Sequence, residues 1–207
     1  MIFQSCRFHW FILAALITGL GSQSCRFHSQ DPYYLSPYYR QVSDHRKSQD
    51  SFYRFHEASP FVVTQTYYKG LDYYEPDSTF RLPFQLLIGN SNRIDTLNDS
   101  KGNRRPMTVA GDLTFNKGGQ LYRLTAYSLE GSSDLFVMFH DKTNGKATYK
   151  GGRYVEVDAE SGYIDFNYAY YPYCFYTDGY ACPIVPQKES LDLAVEAGEK
   201  GLSYKVD

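Results

Sequence analysis

Hydrophobic and polar residues alternate along most of the chain after Pro60, and this pattern predicts short β-strands separated by turns. In "TFRLPFQLLI" every second residue from Phe80 to Ile88 is apolar, so one face of that strand is expected to be buried. "DLFVMFHD" is apolar on both faces, which is typical of a central strand. The last alternating stretch, "LDLAVEAGEKG", indicates strand rather than helix.

Turn residues between these stretches predict antiparallel hairpins. "NKGGQ" and "TNGK" both have turn-forming residues, and the Asn144-Gly145 pair in the second suits a tight hairpin. "GRYVEVD" and "YIDFN" flank "AESG", which predicts a further hairpin between those two strands. Consecutive strands at this spacing favour an antiparallel arrangement.

A helix is predicted before the strands. Ser36 is suited to the N-cap, a proline follows at the first helical position, and Ser59-Pro60 ends the segment. The apolar face is narrow, with Tyr38 or Tyr39, Val42 and Phe52 as its expected contacts, so the helix should lie on the outside of a larger body. We therefore predict a mainly β fold, an antiparallel β barrel or sandwich with one N-terminal α-helix packed against it.

The first 24 residues have the pattern of a secretory signal peptide. One basic residue, Arg7, precedes an apolar run from Trp10 to Leu20, and this run is too short for the roughly twenty residues that span a bilayer. Export to the cell envelope is therefore expected. Cys25 is a candidate lipid anchor on a bacterial membrane, with residues 25–35 as a tether, and ordinary signal-peptidase cleavage is the alternative. Residues 36–207 form a single β-rich domain in this prediction.

Composition excludes some functions and adds weight to the β prediction. The 207 residues have a formal charge of -2 and no basic run, so nucleic acid is a poor candidate partner. Aromatic residues make up 17% of the chain, including 21 tyrosines, and such side chains favour pleated sheet. The five histidines lack metal-ligand spacing, and no nucleophile elbow or phosphate-binding loop is present, so no metal and no cofactor is expected.

Cys174 and Cys182 are candidates for a disulfide. In an exported protein a bridge would close a loop of about nine residues and contribute roughly 2 to 3 kcal/mol. The alternative is a pair of redox-active thiols. The sequence offers neither a helix N-terminus nor a cationic neighbour that would lower a thiol pKa, which favours the bridge.

The hairpin through "AESG" would bring three polar side chains together. Asp165 and Asn167 share one face of their strand, and Arg153 would lie nearly opposite on the partner strand. With Tyr149, Tyr170 and Tyr173 as walls, these residues would form a pocket for a small polar or carbohydrate ligand.

Two other functions fit the same residues. The chain could be a hydrolase, with Asp165 as general base and Arg153 as an oxyanion or phosphate clamp. The three polar side chains could also be purely structural, as a cross-strand ion pair. Oligomeric state does not follow from any of these patterns.

Five blocks of the chain carry a family resemblance: "KGLDYYEPDSTFRL" (69–82), "FHDKTNGKATYKGGRY" (139–154), "DFNYAYYPYCFY" (165–176), "CPIVP" (182–186) and "AGEKG" (197–201). In their order and spacing these blocks resemble the domain of unknown function 1684 family, from about residue 60 to the end. The family name implies no established activity.

The chain departs from the family pattern in two places. Tyr171 stands where the family usually has asparagine, and Lys188, Glu189 and Ser190 stand where glutamate, asparagine and arginine are usual. If those positions belong to a site, the resemblance implies that this copy has altered or lost a function that its relatives keep.

Overall fold

The computed structural model describes residues 36–89 and 93–201. The predicted signal peptide, tether and lipid anchor at Cys25 lie outside these residues. Helix α1 (Pro37–Phe55) begins after Ser36 with proline at its first turn, as predicted, and buries Tyr39, Val42 and Tyr53. Two single-turn helices follow later in the chain, α2 (Pro60–Val63) and α3 (Tyr173–Tyr176).

Antiparallel strands make up most of the remaining structure. They are β1 (Asp72–Tyr73), β2 (Arg81–Leu87), β3 (Ile94–Asn98), β4 (Arg104–Lys117), β5 (Gln120–Ser128), β6 (Leu135–Phe139), β7 (Arg153–Val157), β8 (Tyr163–Asp165) and β9 (Glu199–Lys200). Within the described residues, seven of them form one sheet in the order β7-β6-β5-β4-β2-β8, with β3 paired to β4. Strands β1 and β9 pair separately.

The sheet curls into a nearly closed barrel. Strands β7 and β8 lie at opposite ends of the sheet order, and an isolated antiparallel bridge between Tyr154 and Tyr170 links β7 to the chain that follows β8. Both backbone hydrogen bonds of this bridge are 2.9 Å long. The prediction of a mainly β fold with one N-terminal helix is therefore confirmed.

Alternation along the strands sorts side chains to the inside and the outside of the barrel. On β7, Val155 and Val157 join the main hydrophobic core, whereas Tyr154 belongs to a second cluster on the outer face. A third cluster is almost wholly aromatic and joins α1 and α2 to the segment that follows β8, which includes α3. Ring contacts therefore hold α1 against that segment.

The local predictions hold better than the pairings between distant segments. All five residues of β6 are buried, as expected for "DLFVMFHD", and Gly118 and Gly119 form the predicted β4–β5 turn. The predicted hairpin through "AESG" is wrong, because β8 pairs with β2 in the register Arg81 to Asp165. "TNGK" forms a turn, but strands of the sheet do not flank it directly, and the alternating stretch near the end becomes strand only at β9.

Candidate functional site

A cavity of about 680 Å³ lies between α1 and the outer face of the barrel. Its helical wall consists of five residues at positions i, i+3, i+4, i+7 and i+8, which form one face of a helix. They are His45, Ser48, Gln49, Phe52 and Tyr53. The middle of this face is polar, so α1 is packed near its two ends and spans an open space between them.

The barrel wall of the cavity is largely aromatic. Tyr154 and Glu156 point outward from β7 and Phe136 from β6, because their neighbours along the strands point into the core. The segment after β8 supplies the floor, with Tyr168, Tyr170 and Tyr173 among its side chains. Several rings meet edge to face, including Tyr154 with Tyr170 at 5.9 Å between ring centroids. The cavity therefore presents both flat apolar faces and phenolic hydroxyls.

Three charged side chains line the cavity in addition to the rings. Tyr170 donates a 3.1 Å hydrogen bond to the carboxylate of Glu156, which is exposed. Arg105 is also exposed and donates a 3.3 Å hydrogen bond to the carbonyl of Ala181. The third is Glu199, which differs from the others because it is buried, with only 2% of its surface exposed.

Glu199 is held by donors from the segment on the cavity floor. Its carboxylate accepts a 2.9 Å hydrogen bond from the backbone N–H of Tyr171 and another from the hydroxyl of Tyr176. Burial raises the pKa of Glu199 to about 7, because removal from water disfavours the charged form more than these hydrogen bonds stabilise it. This carboxyl can therefore gain or lose a proton near neutral pH.

Sequence reasoning did not single out Glu199. It lies in the two-residue strand β9, where no hydrophobic pattern distinguishes a buried position from an exposed one. The polar residues on α1 could have been noticed, since His45, Ser48 and Gln49 fall on the same helical stripe as the buried Val42 and Tyr53.

The structure separates the three polar residues that the sequence placed together. Arg153 is fully buried, and within the described part of the chain it makes no hydrogen bond with Asp165 or Asn167. Its guanidinium forms a 2.7 Å ion pair with Asp141 and donates to the carbonyls of three residues in the last segment: Val195, Ala197 and Glu199. Arg153 does not line the cavity and holds residues 195–199 against the barrel.

Asp165 and Asn167 do lie together, but in a network that attaches α1. Asp165 accepts hydrogen bonds of 2.8 Å from the hydroxyl of Tyr38 and 2.9 Å from the Asn167 amide. Asn167 also exchanges two 2.8 Å hydrogen bonds with the backbone of Asp77. Burial raises the pKa of Asp165. Of this pair, only Asn167 reaches the cavity wall, and its polar atoms are already paired.

The three candidate tyrosines have different surroundings. Tyr170 and Tyr173 line the cavity, and Tyr173 meets Tyr180 edge to face at 5.1 Å. Burial raises the pKa of Tyr170 well above its usual value, so its hydroxyl stays protonated and can donate. Tyr149 lies instead in the third aromatic cluster, against Tyr171 and Phe175. The predicted tyrosine wall is thus present around Tyr170 and Tyr173, without Tyr149.

Cys174 and Cys182 lie side by side as free thiols. The backbone N–H of Cys174 donates to the Cys182 sulfur at 3.2 Å, and Cys182 itself lines the cavity. A hydrogen bond from the Cys182 thiol lowers the pKa of Cys174 to about 7, with further support from Ser100. The sequence predicted no helix N-terminus and no cationic neighbour beside these cysteines, whereas the groups that lower the pKa of Cys174 are a second thiol and the hydroxyl of Ser100, which is distant in sequence.

The positions at which the chain departs from the family pattern are not among the residues that line the cavity. Tyr171 is fully buried and donates to the carbonyl of Gly201 at 3.0 Å. Lys188 pairs with Asp95 at 2.9 Å, and the buried Glu189 accepts a 2.8 Å hydrogen bond from the backbone N–H of Thr125. These are contacts of the scaffold, so the departures do not alter the cavity lining.

Within residues 36–89 and 93–201, no group of three or more histidine, cysteine, aspartate or glutamate side chains comes together in a way that could hold a metal ion. No helix in these ranges combines the length and the hydropathy needed to cross a bilayer.

The fold and the site define a class of protein: a nearly closed antiparallel barrel with one covering helix and an aromatic cavity between them. The chain belongs to the family described as "Protein of unknown function (DUF1684)", whose model matches residues 66–200. A similar solved structure is the solution NMR structure of an uncharacterized protein from Haloarcula marismortui, with 29% identity and a TM-score of 0.62. The alignment covers 79% of this chain and 94% of that one. No curated protein matches the chain.

Proposed function

We propose that the protein binds a small, polar, ring-shaped ligand, such as a sugar, in the cavity between α1 and the barrel. The observation that carries the proposal is the cavity itself, which has aromatic rings on two walls and a volume of about 680 Å³, within the range of small-molecule sites. Tyrosines are suited to such a ligand because a ring can pack on their faces while their hydroxyls form hydrogen bonds.

Polar groups around the cavity would fix the orientation of the ligand. Glu156 and Gln49 lie on opposite walls and can each bond to hydroxyl groups, and Arg105 can attract a carboxylate or phosphate substituent. Arg105 takes the role that the sequence assigned to Arg153, because Arg153 is fully buried and does not line the cavity. An acidic sugar would use both the rings and the cation.

Calorimetric titration with glucose, N-acetylglucosamine and glucuronic acid tests this proposal. We expect at least one of these probes to bind, and replacing Tyr170 with alanine to weaken that binding roughly tenfold through loss of the ring. Tyr170→Phe removes only the hydroxyl that contacts Glu156, so it should weaken binding less.

Tyr67→Ala is the matched control, since Tyr67 is 80% exposed and does not line the cavity. It should leave the affinity unchanged. Equal effects of Tyr67→Ala and Tyr170→Ala, in variants that unfold at the same temperature as the parent, would contradict the proposed site.

A hydrolase is the second candidate function, and the buried carboxyl of Glu199 favours it. A carboxyl that exchanges its proton near neutral pH can act as general acid or base, and Glu199 lines the cavity. The earlier assignment of Asp165 and Arg153 to this role does not fit, since neither side chain lines the cavity. Release of 4-nitrophenol from 4-nitrophenyl esters and glycosides, lost in Glu199→Gln with binding retained, would establish hydrolysis.

We also propose that the protein is exported and anchored to the cell envelope through Cys25. The support is the sequence pattern of residues 1–24. Mass spectrometry of the mature protein should find an N-terminal lipid-modified Cys25, and Cys25→Ser should release the protein from the membrane fraction. An unmodified N-terminus downstream of Cys25 would contradict the anchor.

A further inference from the structure

The chain contains four cysteines, and the structure brings two of them into direct contact at the cavity wall. Cys174 lies in α3 and is partly exposed, whereas Cys182 is 8% exposed and follows the loop that closes the pair. The same loop contains Tyr180 and Ala181, which line the cavity. A reaction at these sulfurs would therefore take place beside the cavity.

The two sulfurs have different surroundings. Cys174 is partly exposed whereas Cys182 is buried, and the neighbouring Cys182 thiol together with Ser100 lowers the pKa of Cys174. Cys182 is instead paired to the backbone N–H of Cys174, and its own N–H donates to Ser100 at 3.1 Å. The greater exposure of Cys174 makes it the attacking thiol, with Cys182 held in contact with it.

Other titratable groups face the pair from neighbouring segments. Tyr149 and Tyr154 lie close enough for the thiols to raise their pKa values, in addition to the effect of burial. Arg105 faces Cys182 from β4 and lines the cavity at its rim. A positive charge at this position would attract a disulfide compound that carries carboxylates.

We propose that Cys174 and Cys182 are an exchange-active thiol pair that reduces low-molecular-weight disulfides. The Cys174 thiolate attacks one sulfur of the disulfide RSSR, the S–S bond breaks, and RS⁻ leaves and takes up a proton. The Cys182 thiolate then attacks the Cys174 sulfur of the mixed disulfide and displaces the second RS⁻. The protein loses two protons and two electrons to form the Cys174–Cys182 bridge, and RSSR is reduced to two RSH.

The expected advantage of Cys174 follows from its pKa. Lowering that pKa to about 7 raises the thiolate fraction at pH 7 about fiftyfold. A less basic thiolate is a weaker nucleophile, which lowers the reaction rate of each thiolate roughly tenfold. Cys174 should therefore react roughly fivefold faster than an ordinary exposed thiol. Burial slows the attack of Cys182 on an external disulfide but not its attack on the adjacent Cys174.

The experiment uses the full chain with Cys6→Ser and Cys25→Ser, so that the pair supplies its only thiols. The protein is incubated with glutathione disulfide, quenched with acid, labelled with N-ethylmaleimide and weighed by intact-protein mass spectrometry. We expect loss of two hydrogens and of both labels, reversed by dithiothreitol. Cys182→Ser should trap one glutathione on Cys174, and Cys174→Ser should react at least fivefold more slowly.

Denaturant provides the control. In 8 M urea the Cys174→Ser and Cys182→Ser variants should react with glutathione disulfide at equal rates, because the fold alone creates the difference between the thiols. The proposal would be overturned if the protein still took up two N-ethylmaleimide labels after incubation with excess glutathione disulfide. It would also be overturned if the folded Cys174→Ser and Cys182→Ser variants reacted with glutathione disulfide at equal rates. The outcome does not depend on sugar binding, so it tests the thiol pair separately from the proposed function.

Discussion

Replacing Arg153 with methionine removes a buried cation while keeping most of the side-chain volume. Its guanidinium pairs with Asp141 at 2.7 Å, and both side chains are 0% exposed. It also donates to Val195, Ala197 and Glu199, so the variant leaves a buried carboxylate and three carbonyl oxygens without their donor. Removing one partner of a buried ion pair lowers the free energy of unfolding by about 3 to 5 kcal/mol. Because Arg153→Met also loses the hydrogen bonds to three carbonyls, its loss should lie near the upper end of this range.

Urea unfolding followed by circular dichroism measures this loss. The surface pair Arg123 and Asp112 is a matched control, because its 2.8 Å contact is as short but the arginine side chain is 60% exposed. Arg123→Met should cost less than about 1 kcal/mol.

A double variant separates the ion pair from the other contacts of Arg153. Asp141→Asn removes the carboxylate charge and keeps an oxygen that can accept the 2.6 Å hydrogen bond from the backbone N–H of Thr143. Arg153→Met combined with Asp141→Asn should be at least about 1 kcal/mol more stable than the sum of the single effects predicts. If Arg153→Met and Arg123→Met lower the free energy of unfolding by amounts within about 1 kcal/mol of each other, Arg153 does not hold residues 195–199 against the barrel.

Three further predictions concern the residues around the cavity floor. Because the pKa of Glu199 is raised to about 7, its contribution to stability is complete below about pH 4.5 and is lost as pH rises through about 7. The free energy of unfolding, measured by urea titration, should therefore fall by about 2 kcal/mol between pH 5.5 and 8.5. Glu199→Gln should remove this pH-dependent component. Gly198→Ala should lower the free energy of unfolding, measured by thermal unfolding, by about 2 kcal/mol or more, because Gly198 has φ +75° and an added Cβ would lie 2.6 Å from two carbonyl oxygens. In the control Gly118→Ala, the backbone has φ +61° and the added Cβ meets open space, so the loss should be only about 1 kcal/mol. Asn167→Ala should cost about 2 kcal/mol and increase hydrogen exchange in α1, since Asn167 links Tyr38 to the barrel; unchanged exchange there would contradict that link.

Local patterns were sufficient to predict helix α1 and several of the longer strands. The alternation in "TFRLPFQLLI" reflects a strand with one buried face, and the proline after Ser36 marks the true start of α1. These signals depend on residues a few positions apart, where strand and helix geometry fix which side chains share a face. The prediction of β6 as a central strand is of the same kind.

Pairing between distant segments could not be predicted in the same way. The hairpin through "AESG" is the shortest connection between β7 and β8, but the sheet closes around the barrel and β8 pairs with β2. A local turn signal carries no information about that choice. Because Arg153 points into the core from β7, the candidate site that depended on the hairpin separated into a brace around Arg153 and a helix attachment around Asn167.

The cavity is formed by elements that are distant from one another in sequence. Tyr170 and Tyr173 were candidates because tyrosines cluster in "DFNYAYYPYCFY", whereas His45 and Gln49 face them from a helix more than a hundred residues earlier. Glu199 lies near the other end of the described chain. Only the polar stripe on α1 gave a sequence signal for a space beneath the helix.

Selective isotope labelling of tyrosine rings tests the central claim that a ligand binds between α1 and the barrel. NMR spectra are recorded during titration with the probe that binds in calorimetry. We expect the largest shifts at the seven tyrosine rings on the cavity walls, and none at the exposed Tyr67. The seven are Tyr53, Tyr73, Tyr154, Tyr168, Tyr170, Tyr173 and Tyr180. Binding that leaves those seven rings unshifted would contradict the account.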